Sequence, residues 1–159
     1  MSTPPSRPAV VFVCSGNICR SPVAEKVFSA RLEAAGLADR VTVSSVGTGP
    51  WHAGEPMDRR AADTLRSRGY DTGHVAREMD DTIADADLLV AATADHARDL
   101  RAAGADPARV RLLRSFDPAA PEGAEVPDPY YGGPDGFDEV LDMVEAATPG
   151  LLDWVREQG

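Results

Sequence analysis

Cysteine and histidine are scarce in this sequence, which has only two cysteines and three histidines among 159 residues. The two cysteines, Cys14 and Cys19, lie close together, so no disulfide framework is indicated and a reducing cytoplasm is the expected setting. The same scarcity leaves too few ligands for a zinc site, and we predict no metal and no cofactor.

Basic side chains are also in the minority, with 16 Lys and Arg against 26 Asp and Glu and a net charge of −10. This balance argues against a nucleic acid partner and offers no basic stripe for anionic lipid. The sequence has no apolar run of transmembrane length, and its first residues lack the apolar core of a signal peptide. We expect no membrane partner, a disordered tail over residues 1–7 and one domain over residues 8–159.

Runs of β-branched and apolar residues alternate with segments of helical periodicity along the rest of the chain. The runs predict buried strands, and the periodic segments predict helices. The predicted strands are 10–13, 41–46, 86–92 and 109–113. This alternation indicates an α/β domain with a parallel sheet, right-handed crossovers and helices on both faces. Residues 115–136, rich in Pro, Gly and Asp, form a long loop of the kind that is usually functional.

The segment from Cys14 to Arg20 joins the first strand to the first helix. We expect that helix to begin at Ser21-Pro22, with Ser21 as its cap and Glu25 in its first turn. The amide groups of such a loop form an anion site together with the helix N-terminus. Among those amides and near Arg20, the Cys14 thiol should have a depressed pKa and exist as thiolate.

Arg20 can bind two oxygens of a phosphate at once, so the loop predicts a thiolate nucleophile placed beneath a bound phosphate. Such chemistry needs an acid for the leaving group, and Asp128 in Val-Pro-Asp-Pro-Tyr-Tyr is the candidate. Taken alone, Pro-Asp-Pro fits a simple turn. Its place in the long loop, with Tyr130 and Tyr131 following, favours the catalytic interpretation.

The string Val-Cys-x-Gly-Asn-x-Cys-Arg-Ser-Pro and the later Asp-Pro-Tyr-Tyr resemble the low-molecular-weight protein tyrosine phosphatases, and the resemblance covers the chain after Pro8. It implies a doubly wound four-stranded parallel sheet in the order 2-1-3-4. It also implies a cytoplasmic signalling hydrolase that cleaves phosphotyrosine through a phosphocysteine. Cys14 would be the nucleophile in the P-loop, Arg20 the phosphate clamp and Asp128 the general acid and then base.

The resemblance implies further roles around these three residues. The phosphate-binding loop would comprise Ser15, Gly16, Asn17, Ile18, Cys19 and Arg20. Support for the loop would come from Asn17, Ser21, Ser45 and His74. The substrate pocket would be lined by Ser15, Ile18, Trp51, His52, Tyr130 and Tyr131. Tyrosine-phosphorylated proteins are the implied substrates, a cognate tyrosine kinase is a further candidate partner, and a monomer is expected.

Three alternatives share features with this interpretation. A related arsenate reductase needs further cysteines downstream, and the chain has none after Cys19. A protein arginine phosphatase shares the fold, but that branch carries Thr where this chain has Ile18, and a bulky apolar residue suits phosphotyrosine better. An inert phosphotyrosine-binding module would be expected to lose Cys14 or Asp128.

Some positions depart from the family pattern. Ser15 stands where the family often has Leu or Thr, and Thr93 stands where some members have Asp. Neither belongs to the implied chemistry, but both weaken any substrate preference inherited from a relative. Cys19 prompts a separate hypothesis, a reversible disulfide with Cys14 that would protect the thiolate from overoxidation.

Overall fold

The computed structural model describes residues 7–133 and 135–158 of the chain, and the predicted tail over 1–7 therefore lies, except for Arg7, outside the described residues. Strands and helices alternate as β1 (Ala9–Cys14), α1 (Arg20–Ala34), β2 (Thr42–Gly47), α2 (Arg59–Ser67), β3 (Leu88–Ala91), α3 (Ala94–Ala102), β4 (Val110–Leu112) and α4 (Gly136–Glu157). In the described part of the chain, no helix is both long enough and apolar enough to cross a bilayer.

The four strands form one parallel sheet in the order β2-β1-β3-β4, which confirms the predicted α/β fold. β1 is paired on both sides, with Cys14 opposite Gly47 of β2 and Val13 opposite Ala91 of β3. The chain leaves β1 toward one neighbour and later returns to the other, so the switch point of the sheet lies at its carboxyl end. Ligands of open α/β sheets bind at such a point, and the Cys14–Arg20 loop starts there.

Side chains that alternate along the strands pack into two hydrophobic cores, one on each face of the sheet. Val10 and Phe12 pack with residues of α1, α2 and α4. Val11 and Val13 face the other way and pack with residues of α3. A strand buried on both faces has no polar side to alternate with, which explains the unbroken apolar run of β1. The loop that follows is thereby anchored to a strand that is paired on both sides and buried on both faces.

The predicted start of α1 is wrong by two residues, since the N-cap is Cys19 and not Ser21, and the predicted capping role of Ser21 is wrong as well. The helix begins at Arg20 after Cys19, whose side chain makes no capping hydrogen bond, and Ser21 lies inside the helix. Its hydroxyl group is engaged with Asn17 and Cys14 and is not available as a cap. Glu25 does not lie in the first turn either, because the helix begins at Arg20. Its carboxylate accepts a hydrogen bond from the Ser45 hydroxyl group.

Gly150 of α4 lies directly against the backbone of Phe116. A Cβ at position 150 would overlap the Phe116 carbonyl oxygen, and both groups are backbone or fixed to it, so neither can rotate away. The close approach of α4 to the turn that follows β4 therefore requires a glycine inside the helix, despite its poor helix propensity.

We expect Gly150→Ala to destabilise the protein by about 1–2 kcal/mol, because overpacking outweighs the gain in helix propensity. Urea unfolding measures the difference. Ala146→Gly, at an exposed position of the same helix, is the control and should cost about 1 kcal/mol by propensity alone. A more stable Gly150→Ala variant would show that the helix does not approach Phe116 this closely.

Candidate active site

A cleft of about 460 Å³ opens at the carboxyl end of the sheet. It brings together the three predicted catalytic residues, although Asp128 is far from the other two in sequence. The cleft is lined by Cys14, Ser15, Gly16, Ile18, Cys19, Arg20, Trp51, His52, Asp128 and Tyr130. Most of the residues predicted for phosphate binding and for the substrate pocket are in this lining. The side chain of Tyr131 lies outside the described part of the structure.

The Cys14–Arg20 loop is tightly curved, and two backbone features make the curve feasible. Asn17 adopts a left-handed conformation with φ of 59°, which asparagine tolerates better than most residues. Gly47, at the end of β2, lies under the loop, where a Cβ would stand 2.6 Å from the carbonyl oxygen of Ser15. Only a glycine at this position lets the neighbouring strand approach the loop so closely.

The sulfur of Cys14 lies at the floor of the cleft, within reach of two donors from Ser21. The Ser21 hydroxyl oxygen is 3.0 Å from the sulfur, and the Ser21 amide donates to it over 3.4 Å. Asn17 Nδ2 donates to the same hydroxyl oxygen at 2.8 Å, and the hydroxyl group also lies 3.5 Å from the Val46 carbonyl oxygen, to which it can donate. The amide and the hydroxyl group of Ser21 therefore form polar contacts with the sulfur.

Asn17 is fully buried and connects the loop to three other segments. Its Nδ2 donates to the Ser45 hydroxyl at 2.9 Å, and that hydroxyl donates onward to Glu25 at 2.6 Å. Its Oδ1 accepts from the Arg77 amide at 2.9 Å, and its carbonyl accepts from His74 Nε2 at 2.7 Å. Burial lowers the pKa of His74, so the ring is neutral and donates through Nε2.

Arg20 and Asp128 face each other across the cleft. The guanidinium is almost wholly buried, donates to the Val126 carbonyl at 3.0 Å and lies 3.7 Å from Asp128 Oδ2. The other carboxylate oxygen of Asp128 accepts from the Tyr130 amide at 3.0 Å. Arg20 therefore binds the long loop while it keeps a charged face toward the cleft.

Aromatic side chains surround the mouth of the cleft. Trp51 is 67% exposed, and its ring packs over Gly49, where any Cβ would overlap it. The His52 ring covers Gly16 of the loop in the same way and lies 6.3 Å from the Tyr130 ring, centroid to centroid. Exposed rings at a cleft entrance suit a flat aromatic group.

Cys19, the second thiol, differs from Cys14 in its surroundings. Both cysteines are free and buried. Burial raises the pKa of Cys19 strongly, and the nearby Asp58 carboxylate raises it further. Cys19 is therefore a protonated, weakly nucleophilic thiol at neutral pH. The hypothesis of a Cys14–Cys19 disulfide stays a prediction.

The sequence analysis missed His96, the third residue of α3. Its Nε2 lies 2.8 Å from the Ser15 hydroxyl and its Nδ1 lies 3.1 Å from the Thr93 hydroxyl. Burial, with the Arg20 charge adding to it, lowers the pKa of His96 to about 4. A signal was present, because Thr93 and His96 follow β3, whose carboxyl end adjoins that of β1.

Comparisons with known proteins agree with this geometry. A family model described as low molecular weight phosphotyrosine protein phosphatase matches residues 9–159. The chain is 54% identical over 154 residues to the low molecular weight protein-tyrosine-phosphatase of Streptomyces coelicolor, covering 94% of each. It is 53% identical over 150 residues to low molecular weight protein-tyrosine phosphatase A of Mycobacterium tuberculosis, covering 94% of this chain and 92% of the relative. A solved protein tyrosine phosphatase from Entamoeba histolytica superposes with a TM-score of 0.89 at 31% identity, covering 95% and 98% of the two chains.

The buried neutral His96 predicts a loss of stability in acid. Unfolded histidine takes up a proton near pH 6.5, whereas the folded ring does so only near pH 4. The free energy of unfolding should therefore fall as the pH drops from about 6.5 toward 4, by on the order of 3 kcal/mol for this group.

Urea unfolding of the wild type and of His96→Gln between pH 7 and 4.5 measures this contribution, and the variant should show a shallower decline. His74 contributes equally to both proteins, so the difference isolates His96. Parallel declines in the two proteins would contradict the prediction.

Proposed function

The chain belongs to the low molecular weight phosphotyrosine protein phosphatase family, and we propose that it hydrolyses phosphotyrosine in proteins through a phosphocysteine on Cys14. Its relatives are named protein-tyrosine phosphatases, and the chain is accordingly an enzyme, a phosphoric monoester hydrolase. The observation that carries the proposal is the single cleft in which the Cys14 sulfur, the Arg20 guanidinium and the Asp128 carboxyl group converge.

Phosphate binding is the first step of the proposed reaction. The amides of residues 15–20 and the Arg20 fork bind the equatorial oxygens, which carry the charge as phosphorus moves. A dianionic phosphate attracts the guanidinium that now lies 3.7 Å from Asp128, so phosphate takes the place of the carboxylate as the partner of Arg20.

Phosphoryl transfer to Cys14 follows in line. The sulfur forms a bond to phosphorus while the bond between phosphorus and the tyrosyl oxygen breaks, and Asp128 gives its proton to that oxygen. In the second step Asp128 takes a proton from water, whose oxygen attacks phosphorus and releases inorganic phosphate and the Cys14 thiolate. The donors on Ser21 stabilise the sulfur each time it is the leaving group or the nucleophile.

The supporting residues act through the shape of the loop. Ser45 and His74 each form a hydrogen bond with Asn17, and we infer that these bonds hold the loop backbone in the conformation that binds phosphate. The three residues form no part of the cleft lining. We assign them to preorganisation of the anion site, which lowers the cost of binding a transition state.

The cleft walls support an aryl substrate over phosphoarginine. Ile18, Trp51 and Tyr130 present apolar or aromatic surface, which stacks well on a phenyl ring. The proposed physiological substrates are tyrosine-phosphorylated proteins, with a tyrosine kinase as the opposing partner. We place this monomeric signalling enzyme in the cytoplasm, where the thiolate stays reduced.

We expect Cys14→Ser to abolish phosphate release from a phosphotyrosine peptide, with a loss in kcat of about 10⁴-fold or more, because the nucleophile is removed. The kcat is measured by malachite green detection of released phosphate at a saturating concentration of the peptide. A thermal unfolding curve by circular dichroism that matches the wild-type curve confirms that the variant is folded. Residual activity within tenfold of the wild type would rule out Cys14 as nucleophile.

The same assay with a phosphoarginine peptide of matched sequence tests the substrate class. The kcat/KM for the phosphotyrosine peptide should be the larger of the two. The reverse order would leave the fold and Cys14 assignments standing and replace the proposed activity with arginine dephosphorylation.

A further inference from the structure

The segment that carries Asp128 is held from a second side, by Arg60 in the first turns of α2. Arg60 Nη1 donates to the Tyr130 carbonyl at 3.3 Å. The amide of that same tyrosine donates to Asp128 Oδ1. Arg60 therefore fixes the residue whose backbone orients the carboxyl group, while Arg20 binds the segment at Val126.

Arg60 is itself tightly constrained. Its Nε and Nη2 form a fork on Asp58, at 3.2 Å and 3.0 Å. Its guanidinium carbon lies 5.2 Å from the centroid of the Tyr130 ring and 4.8 Å from that of Phe137. A planar group held by a fork and by two rings has little rotamer freedom, so it can position a neighbour although it is half exposed.

Asp58 carries this constraint to the phosphate-binding loop. Its amide donates to the Ile18 carbonyl at 2.8 Å, and its side chain caps α2 by accepting from two amides. Burial alone would raise the pKa of Asp58, but the hydrogen bonds from Arg60 outweigh it and lower the pKa. The carboxylate is therefore ionised at neutral pH and pairs with the guanidinium.

These contacts close a circuit between the two halves of the site. It runs from Ile18 through Asp58 and Arg60 to Tyr130, then to Asp128, and returns to the loop at Arg20. The general acid and the nucleophile loop are distant in sequence and share no strand. The circuit is one set of contacts that links the position of the general acid to that of the nucleophile loop.

We propose that Arg60 is the positioning residue for the general acid, a role that rests on the proposed function of Asp128. Loss of Arg60 leaves the nucleophile and the phosphate site in place but lets the Pro129–Tyr131 turn shift. A displacement of about 1 Å in a catalytic group can cost up to about 100-fold in rate. The loss of rate should appear only with substrates whose leaving group must be protonated.

Leaving groups separate this role from a structural one. Phenyl phosphate releases a basic phenolate and depends on protonation, whereas dinitrophenyl phosphate releases an acidic phenol that departs without help. The ratio of kcat/KM for the two substrates is independent of the fraction of enzyme that is folded. It therefore reports on the proton delivery and not on stability.

The experiment measures this ratio for the wild type, Arg60→Ala and Arg60→Lys, with Asp128→Ala as the reference for a lost acid. Arg60→Ala should lower kcat/KM for phenyl phosphate by about tenfold and change that for dinitrophenyl phosphate by less than about twofold. Arg60→Lys should resemble the alanine variant, because an ammonium group cannot form the fork on Asp58. Arg59→Ala, the same charge change at the adjacent exposed position, should keep the wild-type ratio.

An unchanged ratio in Arg60→Ala, beside a changed ratio in Asp128→Ala, would overturn the role of Arg60 and leave the proposed function standing. An unchanged ratio in Asp128→Ala would remove the general acid itself and the proposal with it. Absence of aryl phosphate hydrolysis by the wild type would overturn the proposed function first.

Discussion

The hydrogen bonds of the buried Asn17 side chain are the constraint on which the rest of the site depends. An anion cup needs several amides to point at one centre, a backbone shape that costs free energy in an isolated chain. Asn17 supplies both the left-handed residue that makes the turn and the amide group that ties it to Ser21, Ser45 and Arg77. Because the side chain is buried, each of these bonds must form or leave a polar atom unsatisfied. The loop is therefore held in one conformation before any ligand arrives.

The charge distribution bears on how an acidic protein would attract the dianionic phosphate of its proposed substrate. The net charge of −10 repels phosphate at long range. Close to the cleft, loop amides and the buried Arg20 provide the opposing field, and burial weakens its screening by salt. Arg20 is the one arginine or lysine among the described residues that line the cleft, and the neutral His96 lies nearby. Attraction of phosphate therefore depends on the short-range contacts with the loop amides and Arg20 and not on the net charge of the protein.

Much of this arrangement follows from local sequence rules. β-branched runs predicted the strands to within two residues, and the residues around Cys14 and Arg20 predicted the loop between the first strand and the first helix. The approach of Asp128 to Arg20 came from the family resemblance, since nothing local links them. Ser21 and Glu25 were misassigned because helix-end preferences were applied to residues that the tertiary structure uses for other hydrogen bonds. Cap propensities describe an isolated helix, whereas this helix begins inside a binding site.

The glycine that ends β2 has a consequence for protein engineering. Because residue 47 has no side chain, the backbone of β2 lies almost in contact with the Ser15 carbonyl group. The Gly47 amide donates to the carbonyl of residue 77, and the Gly47 carbonyl accepts from the amide of residue 79. The conformation of the seven residues from Cys14 to Arg20 thus depends on the neighbouring strand β2 as well as on their own sequence. A design that transfers these seven residues to a different strand and helix must therefore also place a glycine in the neighbouring strand. With any larger residue there, we expect the transferred loop to change conformation and to lose its anion site.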